Sequence, residues 1–527
     1  MSLLVVLWYE AGMRAGRKGW GRLGLAVVAP VLMVAALEAG LALFSPLEPL
    51  RLLRQEELGD RRFWVTNPRH GEVWFERHSA PMPSPVWIPV AKTPGVKRVL
   101  LLGESAAAGF PMEDFNLARL VEAVWTLQHP GARIEVVNLT MTGINSHALR
   151  RFLREAMAME PDGIVLYAGH NEAIGPFGPA DRYGRRPVSP WYVQALITLR
   201  VSRTGQLLGQ TAEALVRRGW WPARSAWSGL DVFDQRPLAW DDPALDAMAR
   251  ICSANIREML TTAARRELPV LVVQPAVNLR DWPPLDSEPE KMDDPAARRL
   301  IESGRITELR SAWQVYRAAK EIERQQGWEA ALPVYRHACE LDRYRFRADT
   351  RIRNILQQSV LDQKSARVRL VDGDLAIRRE ASPSENDRAI FLEHVHLTFE
   401  GLARMAEGIA ANLADLLGQP DAPATSMSLV ALADRVWFTE VDEYQAWRRT
   451  AEFMDFRVFA SQPLVDQRKA EVGEWLTNRL ARLRETWSPE RLERAYQEVA
   501  ARPEPDPVWH KTAGRLFFFF NQNARAR

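Results

Sequence analysis

From Val96 onward the chain alternates two hydrophobic rhythms. Short continuous apolar runs occur at Arg98–Leu102 (RVLLL), Ile134–Asn138 (IEVVN), Gly163–Tyr167 (GIVLY), Pro269–Val273 (PVLVV) and Arg367–Val371 (RVRLV). Between and after them lie Leu117–Gln128, Ser146–Met159, Leu245–Arg266 and Gly401–Leu417, whose apolar positions recur at three- and four-residue intervals. Runs of that first kind are too short for stable helices and predict strands; the second kind predicts amphipathic helices. Ser146 stands where a helix N-cap is expected. Strands that are apolar on both faces need cover on both faces. The pattern therefore predicts an α/β domain built on a parallel sheet.

The flanking regions read differently. Leu23–Phe44 is 22 residues long with one charge, Glu38. As a helix it would be ~33 Å long, enough for a ~30 Å hydrocarbon core, so it is expected to be a transmembrane helix. A buried core helix is the alternative. Arg14, Arg17, Lys18 and Arg22 precede it, against Arg51 and Arg54 just after it. That asymmetry puts residues 1–22 in the cytoplasm and the body outside it. Residues 45–96 are rich in Pro (Pro81, Pro83, Pro85, Pro89) and predict an irregular, partly β connector. Two insertions, 174–243 and 274–350, interrupt the α/β pattern. The first carries Trp191, Trp220, Trp221, Trp227 and Trp240; these rings could stack on sugars in an active-site lid, with core packing as the competing role. Residues 419–527 predict charged helices, ending in the run Phe517–Phe520.

Composition narrows the classes. Of 527 residues, 47% are apolar and 26% charged, which excludes a disordered chain and a polytopic membrane protein. Lys and Arg total 69 against 66 Asp and Glu, a net charge of +3, which does not suit a nucleic-acid-binding surface. Cys252 and Cys339 cannot form a disulfide framework or a cysteine-rich zinc site; one bridge or two buried thiols remain open. No His, Cys and carboxylate cluster has metal spacing, and no glycine-rich loop ends in Lys-Ser/Thr. Neither a metal nor a cofactor is expected.

Chemistry-bearing residues gather just past the predicted strands, where open parallel sheets bind ligands. Gly103-Glu104-Ser105 follows the first strand; a serine there is either an acyl-transfer nucleophile or a helix cap. Gly143 follows the second strand, with a backbone N–H that can approach a ligand closely. Gly169-His170-Asn171-Glu172 follows the third, and Asn171 brings an amide donor. Glu393-His394-Val395-His396 lies between the last strand and the last helix. An acid and a histidine three apart can share one face of a turn, where the acid fixes the imidazole tautomer. His394 is the competing base, though on one turn only one of the two histidines faces Ser105. His170, Asn278, Arg280 and Trp282 sit at the same sheet edge and are candidates for a substrate wall.

These four segments, in this order, resemble the blocks of the SGNH (GDSL) hydrolase family. Gly103-Glu104-Ser105 stands for Gly-Asp-Ser, Gly143 for the glycine of the second block, Gly169-His170-Asn171-Glu172 for Gly-X-Asn-Asp, and Glu393-His394-Val395-His396 for Asp-X-X-His. Three Asp-to-Glu replacements, at 104, 172 and 393, depart from that pattern. If Glu393 does not reach His396, then Asp387 or Asp374 is the acid, or Ser105 and His396 act as a dyad. The resemblance spans roughly residues 97–418. Gly327-Trp328-Glu329-Ala330-Ala331, with Tyr335 and Ala338, also resembles the second half of a tetratricopeptide repeat, so a single helical hairpin is expected near 311–342.

Together these features are similar to a bacterial membrane-anchored subgroup with tetratricopeptide-like additions. The resemblance implies a flavodoxin-like three-layer α/β/α sandwich. It implies Ser105, His396 and Glu393 as a catalytic triad and the Ser105 and Gly143 N–H groups with the Asn171 amide as an oxyanion hole. The activity implied is an esterase's, on an acyl ester of a carbohydrate or lipid. Two alternatives stay open: an O-acyltransferase acting on a cell-envelope polysaccharide, and a degenerate scaffold that recruits a protein partner through its helical additions.

Overall fold

Each of the five apolar runs is a strand in the computed structural model. It describes residues 17–181, 189–218, 220, 237–287, 299–301, 303–378, 387–419, 427–460, 462, 464–502 and 507–520. The chain divides into two compact units. Met1–Arg51 and Trp191–Ala226 form one; Leu52–Pro190 and Trp227–Arg527 form the other.

The larger unit opens with the predicted connector. It holds a small antiparallel sheet of β1 (Leu53–Leu58), β2 (Arg61–Thr66) and β3 (Trp87–Pro89). The prolines fall between β2 and β3 or at the end of β3, where no ladder hydrogen bond is lost. The main sheet follows: β4 (Val96–Gly103), β5 (Arg133–Thr140), β6 (Gly163–Tyr167), β7 (Val270–Gln274) and β8 (Val368–Asp372). All neighbours are parallel, in the order β5-β4-β6-β7-β8. Val99 to Leu102 are fully buried in the centre of β4, which is why this strand has no alternation.

Helices cover both faces. Leu117–Gln128 and Phe399–Leu416 pack together over one face, and Ser146–Ala156, Pro243–Ala264 and Thr350–Gln363 pack over the other. This is the three-layer arrangement. The chain leaves β4 toward β5 on one side and reaches β6 on the other, so the switch point lies at the carboxyl end of β4. Arg98 locks the opposite end. Its buried guanidinium reaches Glu135 at 2.7 Å, the Met159 carbonyl at 2.9 Å and the Pro89 carbonyl at 2.9 Å.

The expected hairpin is Ala312–Gln326 and Trp328–Leu341, turned at Gly327. Ala331, Tyr335 and Ala338 are buried against Val277 and Leu279, which follow β7. A single repeat thus hides its apolar face on the α/β body rather than on further repeats. The C-terminal helices extend from Leu429 to Phe519. In the Phe run, Phe517 is buried and Phe518 is exposed. Cys252 and Cys339 are free and buried.

Some expectations change. The N-cap of helix Ser146–Ala156 is Asn145, whose side chain accepts from His147 N–H, because Ser146 is engaged elsewhere. In the smaller unit, the expected span 23–44 lies inside the helix Arg17–Phe44. Among the described residues, no helix is long and apolar enough to cross a membrane. Trp191 and Trp220 are exposed, and Trp240 lies under the Arg310 guanidinium at 4.6 Å. Trp221 and Trp227 lie outside the described residues.

Candidate active site

Glycine makes the turn out of β4. A side chain at Gly103 would place its Cβ 2.4 Å from the Ala107 Cβ and 2.9 Å from the Tyr167 carbonyl oxygen. The short helix Ser105–Ala108 starts at once and is stopped by Gly109 at φ +79°. Ser105 therefore stands at the second position beyond β4, buried but lining a cavity of about 250 Å³.

The Ser105 Oγ lies 2.9 Å from His396 Nε2. His396 Nδ1 faces Glu393 Oε1. The extra methylene of Glu is accommodated because residues 391–397 do not form the helical turn the spacing suggested. They form a loop closed by an antiparallel bridge between Phe391 and Leu397, with Leu392 N–H donating to the His396 carbonyl at 2.8 Å. Glu393 folds back into this loop and accepts from the His396 and His394 N–H groups, each at 2.7 Å. Asp374 is engaged elsewhere, by the Val277 N–H and Arg353. Asp387's side chain lies outside the described residues.

Burial holds His396 below the ordinary imidazole value, at about 3. The nearby Glu113 carboxylate opposes that in part. The resting imidazole is neutral, and its Nε2 can accept a proton. His394 lines the same cavity, contacts Glu393 Oε2 through Nδ1, and is also held neutral by burial. Both histidines thus face the cavity, but His396 is the one within hydrogen-bond distance of Ser105.

Asn171 and Gly143 line the cavity too. Asn171 Nδ2 is buried and has no hydrogen-bond partner among the described residues. A buried donor left unmade costs about 1–3 kcal/mol, and this one lies on the cavity wall. Gly143 has φ +75°, and a Cβ there would contact the Phe75 ring at 3.4 Å.

Two replaced acids hold this wall in place. Glu104 is buried and accepts from Gly169 N–H at 3.0 Å, His170 N–H at 3.0 Å and Asn171 N–H at 3.3 Å. Burial, then the neighbouring Glu172 carboxyl, push its pKa up against those three donors. Glu172 accepts from Ser146 N–H and Oγ–H, each at 2.8 Å. Asn255 in turn donates to Ser146 Oγ at 3.0 Å. The first, second and third blocks are therefore tied together by carboxylates behind the cavity.

The four residues expected to form a substrate wall do not line the cavity. His170 is buried, with Nδ1 accepting from Ala348 N–H at 3.3 Å. Asn278 donates to the Glu393 carbonyl at 3.0 Å and accepts from Asp281 N–H at 3.0 Å. Arg280 pairs with Glu323 of the hairpin. Trp282 lies with its ring centroid 6.2 Å from that of His394, and the Arg468 guanidinium lies over the Trp282 ring at 5.0 Å. Asn278 and Trp282 brace the histidine loop from behind. Nor does any described tryptophan of 187–240 line the cavity. Its walls are Phe75 from the connector, Phe110, Ile174, Phe346 and Phe453. Phe110 lies against His396 with ring centroids 4.8 Å apart, and Phe453 at 6.2 Å. Phe453 lies far along the C-terminal region, and nothing in its local pattern marks it. Phe110, five residues past Ser105, was nearer to hand.

No family model matches the sequence, and no curated protein matches it. Among solved structures, it is similar to a catalytic mutant of the acetylxylan esterase Axe2 from Geobacillus stearothermophilus. Identity is 11% and the TM-score 0.30, over 62% of this chain and 97% of that one. An alpha/beta hydrolase enzyme from the metagenome of Lake Arreo, Spain, gives 12% and 0.28, over 61% and 95%. A GDSL-like lipase from Bacteroides thetaiotaomicron gives 12% and 0.26, over 60% and 88%. At these scores the likenesses assign neither activity nor substrate to this chain, and the site's own geometry carries the functional reading.

Proposed function

We propose that this protein is a serine ester hydrolase of SGNH type, anchored in the bacterial cytoplasmic membrane with its catalytic unit outside the cytoplasm. The observation that carries the catalytic part is the line Ser105 Oγ to His396 Nε2 to Glu393, which opens on the same cavity as the unpartnered Asn171 amide. In this reading His396 takes the Ser105 proton as Oγ attacks the ester carbonyl. The Ser105 and Gly143 N–H groups and the Asn171 amide receive the oxyanion. His396 then protonates the departing alcohol, and water enters by the same base to release the acid. Burial that disfavours the imidazolium is offset at that moment by Glu393, which meets the charge as it forms. The anchor is read from Leu23–Phe44, apolar apart from Glu38, and is supported by the exposure of Val31, Leu32, Met33 and Leu37 on that helix.

The test is labelling with a fluorophosphonate. Wild-type full chain in detergent and a Ser105→Ala variant are compared, with circular dichroism confirming that both fold. Labelling of wild type alone is expected. A folded wild type that does not label would overturn the reading and leave the scaffold alternative. Acyl release measured with and without sugar acceptors then separates hydrolysis from transfer.

A further inference from the structure

We infer that the two-helix insertion Pro190–Arg217 is a second membrane-contacting element, seated at the boundary between lipid headgroups and acyl chains. It rests on the membrane reading of helix Arg17–Phe44 given above. From Trp191 on, the insertion belongs to the same compact unit as that helix. About half of the exposed large apolar side chains among the described residues fall in this unit, which is under a fifth of the chain. Water-soluble surfaces do not concentrate such groups without a partner.

Glu38 sets the depth. Its carboxylate accepts from Thr204 N–H at 2.8 Å, Thr204 Oγ–H at 2.9 Å and Arg203 N–H at 3.1 Å, with the Arg203 guanidinium at 3.4 Å. The one charge of the apolar segment thus meets the N-terminus of helix Arg203–Arg217, a pairing that a charge in lipid requires. Glu38 is six residues before Phe44, which is about 9 Å along a helix. If Phe44 ends the span, the junction of the two insertion helices lies about that far inside it. The chain beyond the span holds the insertion there. Arg203 Nε donates to the Leu47 carbonyl at 2.8 Å, Gln206 to the Glu48 carbonyl at 2.6 Å, and Leu50 N–H to the Val201 carbonyl at 2.9 Å.

The insertion's own surface fits that depth. In helix Pro190–Val201, Val193, Ile197 and Val201 face inward at four-residue spacing, while Trp191, Tyr192 and Leu199 are exposed. Leu208 is exposed on the second helix, and Trp220 just after it. Aromatic rings at the ends and aliphatic groups between them match the composition of interfacial helices. A lid or a protein-docking site would need neither the Glu38 tie nor the shared unit.

The test uses the full chain in vesicles of phosphatidylethanolamine and phosphatidylglycerol. Single cysteines replace Leu32, Trp191, Leu208 or Leu361, each carrying an environment-sensitive fluorophore; unsubstituted protein, with Cys252 and Cys339 buried, is the blank. Fluorophosphonate labelling confirms that each variant is folded. Lipids bearing a nitroxide near the headgroup are then added. Labels at positions 32, 191 and 208 are expected to lose at least about half their emission, with position 361 in the catalytic unit unchanged. Quenching at 32 with positions 191 and 208 behaving like 361 would overturn this inference and leave the anchor standing. No quenching at 32 would overturn the anchor and this inference with it.

Discussion

Replacing Glu104 with Gln isolates the role of the carboxylate behind the Asn171 loop. The wild-type side chain receives three backbone N–H groups, one on Oε1 and two on Oε2. Glutamine has one carbonyl oxygen. Its better orientation keeps the His170 and Asn171 bonds and points an NH2 at the Gly169 N–H. Two donors then lack acceptors, at about 1–3 kcal/mol each, and the two remaining bonds lose their charge assistance. Relief of burying a charge beside Glu172 offsets part of this. The expected net loss of stability is about 1–3 kcal/mol, a Tm shift of several degrees at most. The catalytic effect is larger than the stability effect suggests. Displacing the Asn171 amide by about 1 Å costs up to ~100-fold in rate. Because the cavity walls do not touch Glu104, KM should stay within about threefold. Steady-state hydrolysis of a p-nitrophenyl ester, with thermal unfolding in parallel, reads both. A kcat within twofold of wild type, or a loss confined to KM, would refute Glu104 as the group that positions the oxyanion donor.

Further outcomes follow from the same geometry. Asn171→Ala should still label with fluorophosphonate while kcat falls about a hundredfold, the value of one oxyanion donor; unchanged turnover would remove Asn171 from that role. Burial disfavours the His396 imidazolium, so more acid than usual is needed to protonate the base. The acid limb of kcat/KM should therefore lie well below pH 6.5, and a limb at or above 6.5 would contradict a buried, neutral base. Asn278→Ala removes the bond to the Glu393 carbonyl and strands the Asp281 N–H, so fluorophosphonate labelling should slow and Tm should fall, while KM holds. Phe453→Ala opens the cavity wall and should raise kcat/KM for longer acyl chains relative to acetyl; an unchanged ratio across a p-nitrophenyl ester series would show that the wall does not contact the acyl group.

Much of the α/β body was legible along the chain because burial on both faces leaves a local signature. A strand with no polar face reads as a continuous apolar run, and each of the five appears within two residues of its expected limits. The placement of Ser105, Gly143 and Asn171 just past strands and of His396 just ahead of the last sheet-covering helix was legible as well, and all four line one cavity. Local pattern could not say how Glu393 reaches His396. That depends on a bridge between Phe391 and Leu397 that replaces the expected helical turn. Nor could it show that Asn278 and Trp282 stand behind the histidine loop while Arg280 turns to the hairpin, because the direction a side chain takes from a loop depends on its neighbours. The cavity walls are the clearest case. Phe75, Phe346 and Phe453 come from a connector, an insertion and a C-terminal helix, and their own surroundings read only as apolar. Periodicity records whether a residue is buried; it does not record against what. The strands and the positions at their carboxyl ends are properties of consecutive residues, whereas the walls of the cavity exist only once residues hundreds of positions apart have packed together.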